Sequence, residues 1–353
     1  MVDKSMVNKK AICQVEMYMD APCGRLVYDS KGKCICHSER KDKDVTLFQS
    51  EIDKIFEINQ AVSLDFTRFT FPKGGWSFVN KRFEKVAQFL SSQFLGEAQF
   101  RAAKFSGDAN FYDAKFSGDV DFDDAKFSGY ADFTDAKFSG KAHFTYAKFS
   151  DGAQFTFAKF SGKARFSYSR FSGKSLFYKV QFSGEAEFED VQFLGAANFR
   201  LARFVNKAIF SRAEFSFGVD FSEAHFSDRA DYYGVQFSGK SDFESTSFDV
   251  YISFTSSIAR EGARLTFDVG VLDENLIWKG GASFRSFRIE KGAEVTFRKV
   301  NMRGAVLLES SIRNMTFIDV EWPRTNRWHK RRTVADEMID DEKDYTLIAQ
   351  LYQ

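Results

Sequence analysis

Residues 98–116 read Ala98-Gln99-Phe100-Arg101-Ala102-Ala103-Lys104-Phe105-Ser106-Gly107-Asp108-Ala109-Asn110-Phe111-Tyr112-Asp113-Ala114-Lys115-Phe116. The phenylalanines are alternately five and six residues apart, and the resulting eleven-residue period extends in both directions. One series runs without a gap from Phe83 to Phe248; the other runs from Phe78 to Phe221 and continues through Tyr232, Phe243 and Phe254. Two positions before most of these rings stands Ala or another small residue. In extended backbone, residues two apart face the same way, so Ala and Phe point inward and the polar residue between them points out. An α-helical stripe needs apolar residues three and four apart, which excludes helix here. Very short strands separated by corners such as Ser106-Gly107, Ser117-Gly118 and Ser128-Gly129 describe a chain that turns every five or six residues, a coiled solenoid.

The Ala-x-Phe-x-x pattern resembles the pentapeptide-repeat family over roughly residues 66–322. That resemblance implies an all-β solenoid, a right-handed quadrilateral β-helix with four short faces per coil. Faces of five, six, five and six residues make a coil of about 22 residues, and the spacing returns to a strict five at Phe297, Met302, Leu307, Ile312, Phe317 and Trp322. About 12 coils are expected, forming a rod roughly 55–60 Å long at the inter-strand spacing. Each buried Phe contributes about 1.5–3 kcal/mol, so most of the 44 Phe are assigned to the core.

The remainder of the chain frames this rod. Pro72 and Pro323 bracket it and Pro22 lies in the N-terminal segment, as expected where proline cannot donate to a continuous ladder. Residues 1–45 form a Cys/His module, 46–65 an N-terminal cap, 66–322 the repeats, and 323–353 a basic linker followed by an amphipathic helix. Leu47, Phe48, Ile52, Ile55 and Phe56 give residues 46–58 a helical stripe; Val334, Met338, Ile339, Tyr345, Ile348, Leu351 and Tyr352 do so for residues 333–353. Short helical caps are therefore expected at both ends, because an uncapped solenoid exposes strand edges. The 353 residues contain no run of 18 apolar residues and no signal-peptide pattern. A cytoplasmic protein without a membrane span is expected. The family resemblance adds membrane association through a region beyond Gln353.

All four cysteines lie between residues 13 and 36, which suits a reducing compartment. Together with His37 they are the one metal-type constellation, since three thiolates and an imidazole close a tetrahedral zinc site. The spacing Cys-x9-Cys-x10-Cys-x2-His lacks the usual opening knuckle. Cys23-Gly24-Arg25 and Cys34-Ile35-Cys36-His37 resemble the Cys, Cys-x-Arg, Cys-x-x-His module that precedes the repeats in many bacterial pentapeptide-repeat proteins. The resemblance implies structural Zn2+ on Cys13, Cys23, Cys34 and His37, with Cys36 an extra thiol where an apolar residue is more usual. A four-cysteine site, unligated thiols and a reactive cysteine are the alternatives.

Catalysis finds little support. His143 and His225 are 82 residues apart, more than three coils, and His329 lies beyond the barrel; Asp121, Asp123 and Asp124 fit a solvated face. Lys104, Lys126, Lys148 and Arg170 are expected to stack on one face, with Lys115, Lys137 and Lys159 opposite. Tyr146, Lys148, Tyr168 and Arg170 make a candidate protein-binding patch, against the plainer reading of an alternating-charge surface. A non-catalytic interaction scaffold is thus the leading function, its partners other proteins or a second copy of the chain. The alternative is a DNA-mimicking topoisomerase modulator of the pentapeptide-repeat type. Mimicry needs strong negative charge, whereas the chain is +1 and residues 101–160 hold 8 Lys/Arg against 9 Asp/Glu. The same interleaving argues against direct nucleic-acid binding.

Overall fold

The computed structural model describes residues 11–18, 22–57, 63–269, 280–302 and 305–320. The expected C-terminal cap over 333–353, with Trp322, Pro323 and His329, lies outside them. Strands of mostly two residues recur at every side of a four-sided coil and stack into four parallel sheets of 12, 9, 11 and 10 strands. In chain order these faces begin at Ser63–Asp65, Thr70–Phe71, Trp76–Ser77 and Arg82–Phe83. Successive strands of one face are 22 residues apart through the regular body: Lys104 pairs with Lys126, Lys126 with Lys148 and Lys148 with Arg170. The described residues make about 11 coils, and the coil joining Arg264 to Glu294 is lengthened to 30 residues. The last described coil pairs Val295 with Met315 and so shortens to 20, as the strict five-residue spacing requires.

Both Phe series point inward and are almost wholly buried. Between coils the rings lie nearly parallel, Phe111 on Phe133 at 4.9 Å and 1°, and Phe105 on Phe127 at 4.8 Å and 2°. Adjacent faces of the core meet edge to face, as Phe100 on Phe111 at 5.5 Å and 90°. The parallel separation equals the spacing of hydrogen-bonded strands, so the backbone ladder sets the ring spacing while the edge-to-face contacts meet the quadrupole preference.

Two kinds of corner close the coil. At Ser-Gly corners the backbones nearly touch: a Cβ added to Gly162 would stand 2.4 Å from the Gly140 carbonyl oxygen. The Phe-x-x-Ala corners are four-residue turns closed by bonds such as Ala125 N–H to Phe122 O at 3.0 Å. Their third residue has positive φ, at Asp113 (49°), Asp124 (59°) and Asp135 (57°), but also at Tyr146 (58°), Phe157 (60°) and Tyr168 (61°). Asp tolerates this left-handed conformation, whereas bulky residues adopt it at a cost.

The N-terminal edge is covered. Helix α1, Val45–Glu57, starts where the Asp44 carboxylate accepts the Leu47 N–H at 3.0 Å, and it buries Phe48, Ile52 and Ile55. Phe48 packs on Trp76 at 4.7 Å and on Phe71 at 5.6 Å, while Phe56 meets Phe66 and Phe83. The helix therefore lies across the first layer of core rings, replacing the coil that would otherwise stack there.

Phe149 sits between Phe127 and Phe171 at 4.7 and 4.6 Å. Phe149→Asp is expected to lose several coils, since a buried unpaired carboxylate costs several kcal/mol and neighbouring coils share one core. Circular dichroism and thermal melting check this, with the outward Lys148→Asp expected to stay within about 0.5 kcal/mol of the parent.

Candidate metal centre and surface rows

Residues 11–18 pair with residues 22–28 through antiparallel bridges Ile12 to Leu26 and Glu16 to Pro22. Cys13 N–H donates to Arg25 O at 2.7 Å and Gly24 N–H to Cys13 O at 3.1 Å, bringing Cys13 beside Cys23. A helical turn from Cys34, closed by Ser38 N–H to Cys34 O at 2.9 Å, delivers His37 three residues on. The result is one cluster: Cys13 Sγ and Cys34 Sγ lie 3.5 and 3.3 Å from His37 Nδ1, and Cys23 Sγ lies 3.6 Å from Cys34 Sγ. All four ligand atoms fall within 4.8 Å of one another. A tetrahedral ion with bonds of about 2.3 Å to sulfur and about 2.0–2.1 Å to nitrogen separates its ligand atoms by about 3.5–3.8 Å, so the donor set fits zinc.

The surroundings complete that fit. His37 Nε2 faces Thr67 O at 3.1 Å, which places the ring proton on Nε2 and leaves the Nδ1 lone pair directed at the thiols. Without a cation Cys23 and Cys34 resist ionisation. Hydrogen bonding to Cys34, then burial, raises Cys23; the Cys23 bond lowers Cys34, but bonding to Cys36 and burial outweigh it and push Cys34 up to about 12. Arg25 reaches Cys23 Sγ at 3.4 Å and is tied to Glu51 of α1 at 3.1 Å, a positive charge placed against the single negative charge that three thiolates leave on a divalent ion. Lys43, brought down to about 8 by burial, donates to the Thr70 carbonyl nearby. Cys36 is fully buried beside Cys34, to which its thiol is hydrogen-bonded, and its carbonyl accepts the Thr70 N–H at 2.7 Å; it is not one of the four residues whose ligand atoms converge. The module thus joins the first coil directly, with His37 edge-on to Phe69 at 5.1 Å.

On the rod, the outward row of the fourth face is Arg82, Lys104, Lys126, Lys148 and Arg170, and the second face carries Lys115, Lys137 and Lys159. These faces are opposite sides of the coil, as the spacing predicts. Tyr146 and Tyr168 border the fourth face as exposed rings stacked at 5.0 Å and 17°, so the four patch residues do come together. Asp124 stands in the row of the two tyrosines, beside Lys104 and Lys126, while acids of the third face are ion-paired. On the third face Arg101 pairs with Asp121 and Asp123 at 3.4 and 3.7 Å, and Lys163 and Arg165 pair with Glu187 at 2.6 and 2.7 Å.

These observations converge with the comparison to known families. The pentapeptide-repeat description, found in nine copies, matches residues 78–126, 122–170, 144–192 and 177–225 among others. The chain is a pentapeptide-repeat protein. The matched ranges fall in the repeats, not on the Cys/His module. No curated protein and no solved structure matches the chain. Pentapeptide-repeat solenoids are generally structural or interaction proteins, and no catalytic family is indicated. Among the described residues no helix is long and apolar enough to cross a membrane.

One constellation escaped the sequence reading because it spans two coils. His225 Nδ1 lies 2.5 Å from Ser247 Oγ, and its Nε2 lies 3.2 Å from Asp249 Oδ2. The 22-residue register pairs His225 with Ser247 directly, a signal available once the coil length is known. The arrangement has nucleophile, base and carboxylate, but Ser247 is only 8% exposed and sits under the imidazole it bonds. It works as a rung-to-rung clamp.

Protein purified under reducing conditions is expected to carry one zinc per chain by elemental analysis. His37→Ala and Cys34→Ser should lose it and Cys36→Ser should retain it, whereas the reverse for His37 and Cys36 would assign a four-cysteine site. A second outcome concerns acid. Burial raises the Glu187 carboxyl, but the hydrogen bonds from Lys163 and Arg165 win and hold it below the usual glutamate range. A lowered carboxyl stabilises above its unfolded pKa and ceases to do so as pH falls through its folded one. The melting-temperature deficit of Glu187→Gln, present at pH 7, should therefore close on acidification through and below the usual glutamate range.

Proposed function

We propose that this protein is a non-catalytic scaffold whose rod holds a protein partner on the edge formed by Tyr146, Lys148, Tyr168 and Arg170, and whose zinc-bearing N-terminal module seals the rod. The carrying observation is the stacked Tyr146–Tyr168 pair, about half exposed at 52% and 44%. Both residues occupy left-handed turn positions, where Asp124 and Asp190 stand in the same row. Stability alone favours Asn, Asp or Gly there, so two aromatic rings facing water point to a contact. Tyr and Arg are also the side chains that anchor interface centres.

Zinc on Cys13, Cys23, Cys34 and His37 ties residues 11–38 to the first coil through His37, Thr67 and Thr70. Such a clamp resists fraying where a solenoid is weakest, at its open edge. The reduced thiols suit a cytoplasmic setting. DNA mimicry fits less well, because the fourth face presents cations where a mimic needs carboxylates.

Tyr146→Ala with Tyr168→Ala is expected to weaken capture of the partner by about 1–2 kcal/mol without lowering thermal stability. Affinity purification with the parent and the double variant, followed by titration of the recovered partner, measures this. Unchanged affinity would move the interface elsewhere, and dose-dependent inhibition of a DNA topoisomerase by the purified protein would replace the scaffold reading with mimicry.

A further inference from the structure

Over five successive rungs the fourth face points only cations outward, Arg82 through Arg170, about 4.8 Å apart. Arg82 has Glu84 at 4.0 Å and Arg170 has the Gln192 amide at 2.8 Å, but Lys104, Lys126 and Lys148 make no ion pair among the described residues. They line a shallow groove of about 550 Å³ whose border is the row Asp124 and Tyr146. This strip calls for a ligand with a negative charge about every 5 Å along one line and apolar groups along the adjoining line. An α-helix meets both demands: acids three and four residues apart rise 4.5 and 6.0 Å, about 5 Å on average, with an apolar stripe beside them. An extended peptide, with same-side residues about 6.8 Å apart, falls out of step by about 2 Å per rung.

The chain contains such a segment. Between residues 336 and 344 lie Asp336, Glu337, Asp340, Asp341, Glu342 and Asp344 against a single Lys343. At helical spacing Glu337, Asp340, Asp341 and Asp344 share one stripe, and Met338 and Tyr345 form the stripe beside it. The charged run covers about 12 Å as helix, against about 14 Å from Lys104 to Arg170. Residues 321–332 extend to about 40 Å, and Arg170 stands six to seven rungs, about 30 Å, below the strand Met315–Ile318.

We infer that residues 336–344 dock on the strip of their own chain, with the carboxylates on Lys104, Lys126, Lys148 and Arg170 and the apolar stripe on Tyr146 and Tyr168. The docking does not depend on the assignment of that surface to a partner.

Zero-length carbodiimide cross-linking of the full chain, prepared as an equal mixture of light-isotope and heavy-isotope protein, tests the inference. Peptide mapping is expected to find Lys126 or Lys148 joined to carboxylates of 336–344 within chains of one isotope. The yield should fall at least about fivefold between low salt and 0.5 M salt, where the screening length drops to a few ångströms. Asp340→Lys with Asp344→Lys should produce a similar loss at the remaining carboxylates. Mixed-isotope cross-links would give the strip to a second copy. Strip lysines joined to nothing, or the acidic segment joined elsewhere, would overturn the docking. Because this readout needs no partner, loss of partner capture in the Tyr146→Ala, Tyr168→Ala protein is scored independently of it.

Discussion

The spacing of hydrogen-bonded parallel strands, about 4.8 Å, governs every level of this molecule. With a coil of 22 residues, each side chain stands directly over its counterpart one turn earlier, so whatever chemistry a position has is repeated as a row. Inside, the rows are phenylalanine stacks whose ring separations reproduce the rung spacing. At the Ser-Gly corners the same spacing leaves no room for a Cβ at Gly162. Outside, it places like charges close together wherever the repeat is faithful. Insertions are absorbed only by enlarging a coil, as at the 30-residue step from Arg264 to Glu294.

A structure built by repetition has its weak points at its ends, where the last layer of rings and the last row of strand edges lack a neighbour. At the N-terminal edge two devices meet. Helix α1 lays Phe48 and Phe56 on the first rings, and the Cys/His cluster fastens the preceding hairpin to the Thr67–Thr70 segment of the first coil. Three thiols and one imidazole whose ligand atoms lie within 4.8 Å of one another are close enough to hold a metal ion. The contact between Arg25, Cys23 and Glu51 couples the two devices electrostatically.

Near-neutral net charge conceals strong local order. The outward position before each Phe of the Ala-Lys-Phe repeats alternates between the second and fourth faces, so lysines gather there, while the acids of the third face are matched by Arg101, Lys163 and Arg165. The fourth face repeats a cation over five successive rungs because the residues one coil apart are of the same type. Aromatic rings then appear at two consecutive corners of that face, in backbone conformations that do not favour them. Charge and strain thus single out the same few coils.

The Phe period by itself determined the solenoid and the identity of the core, because spacings of five and six fit no helical stripe; the four faces, and with them the 22-residue coil and the opposition of the two lysine rows, followed from the family resemblance. The confinement of Cys13, Cys23, Cys34 and Cys36 to one segment also made a metal site legible before any geometry was known. Only the tertiary structure decided that His37 turns its Nδ1 to Cys13 and Cys34, since that depends on a backbone turn and on the Thr67 carbonyl of the first coil. It alone showed that Asp121, Asp123 and Glu187 are ion-paired on the third face, and that His225, Ser247 and Asp249 meet. Those relations are set by which residues fall one coil apart, a distance of 22 positions along the chain but one strand spacing in the fold.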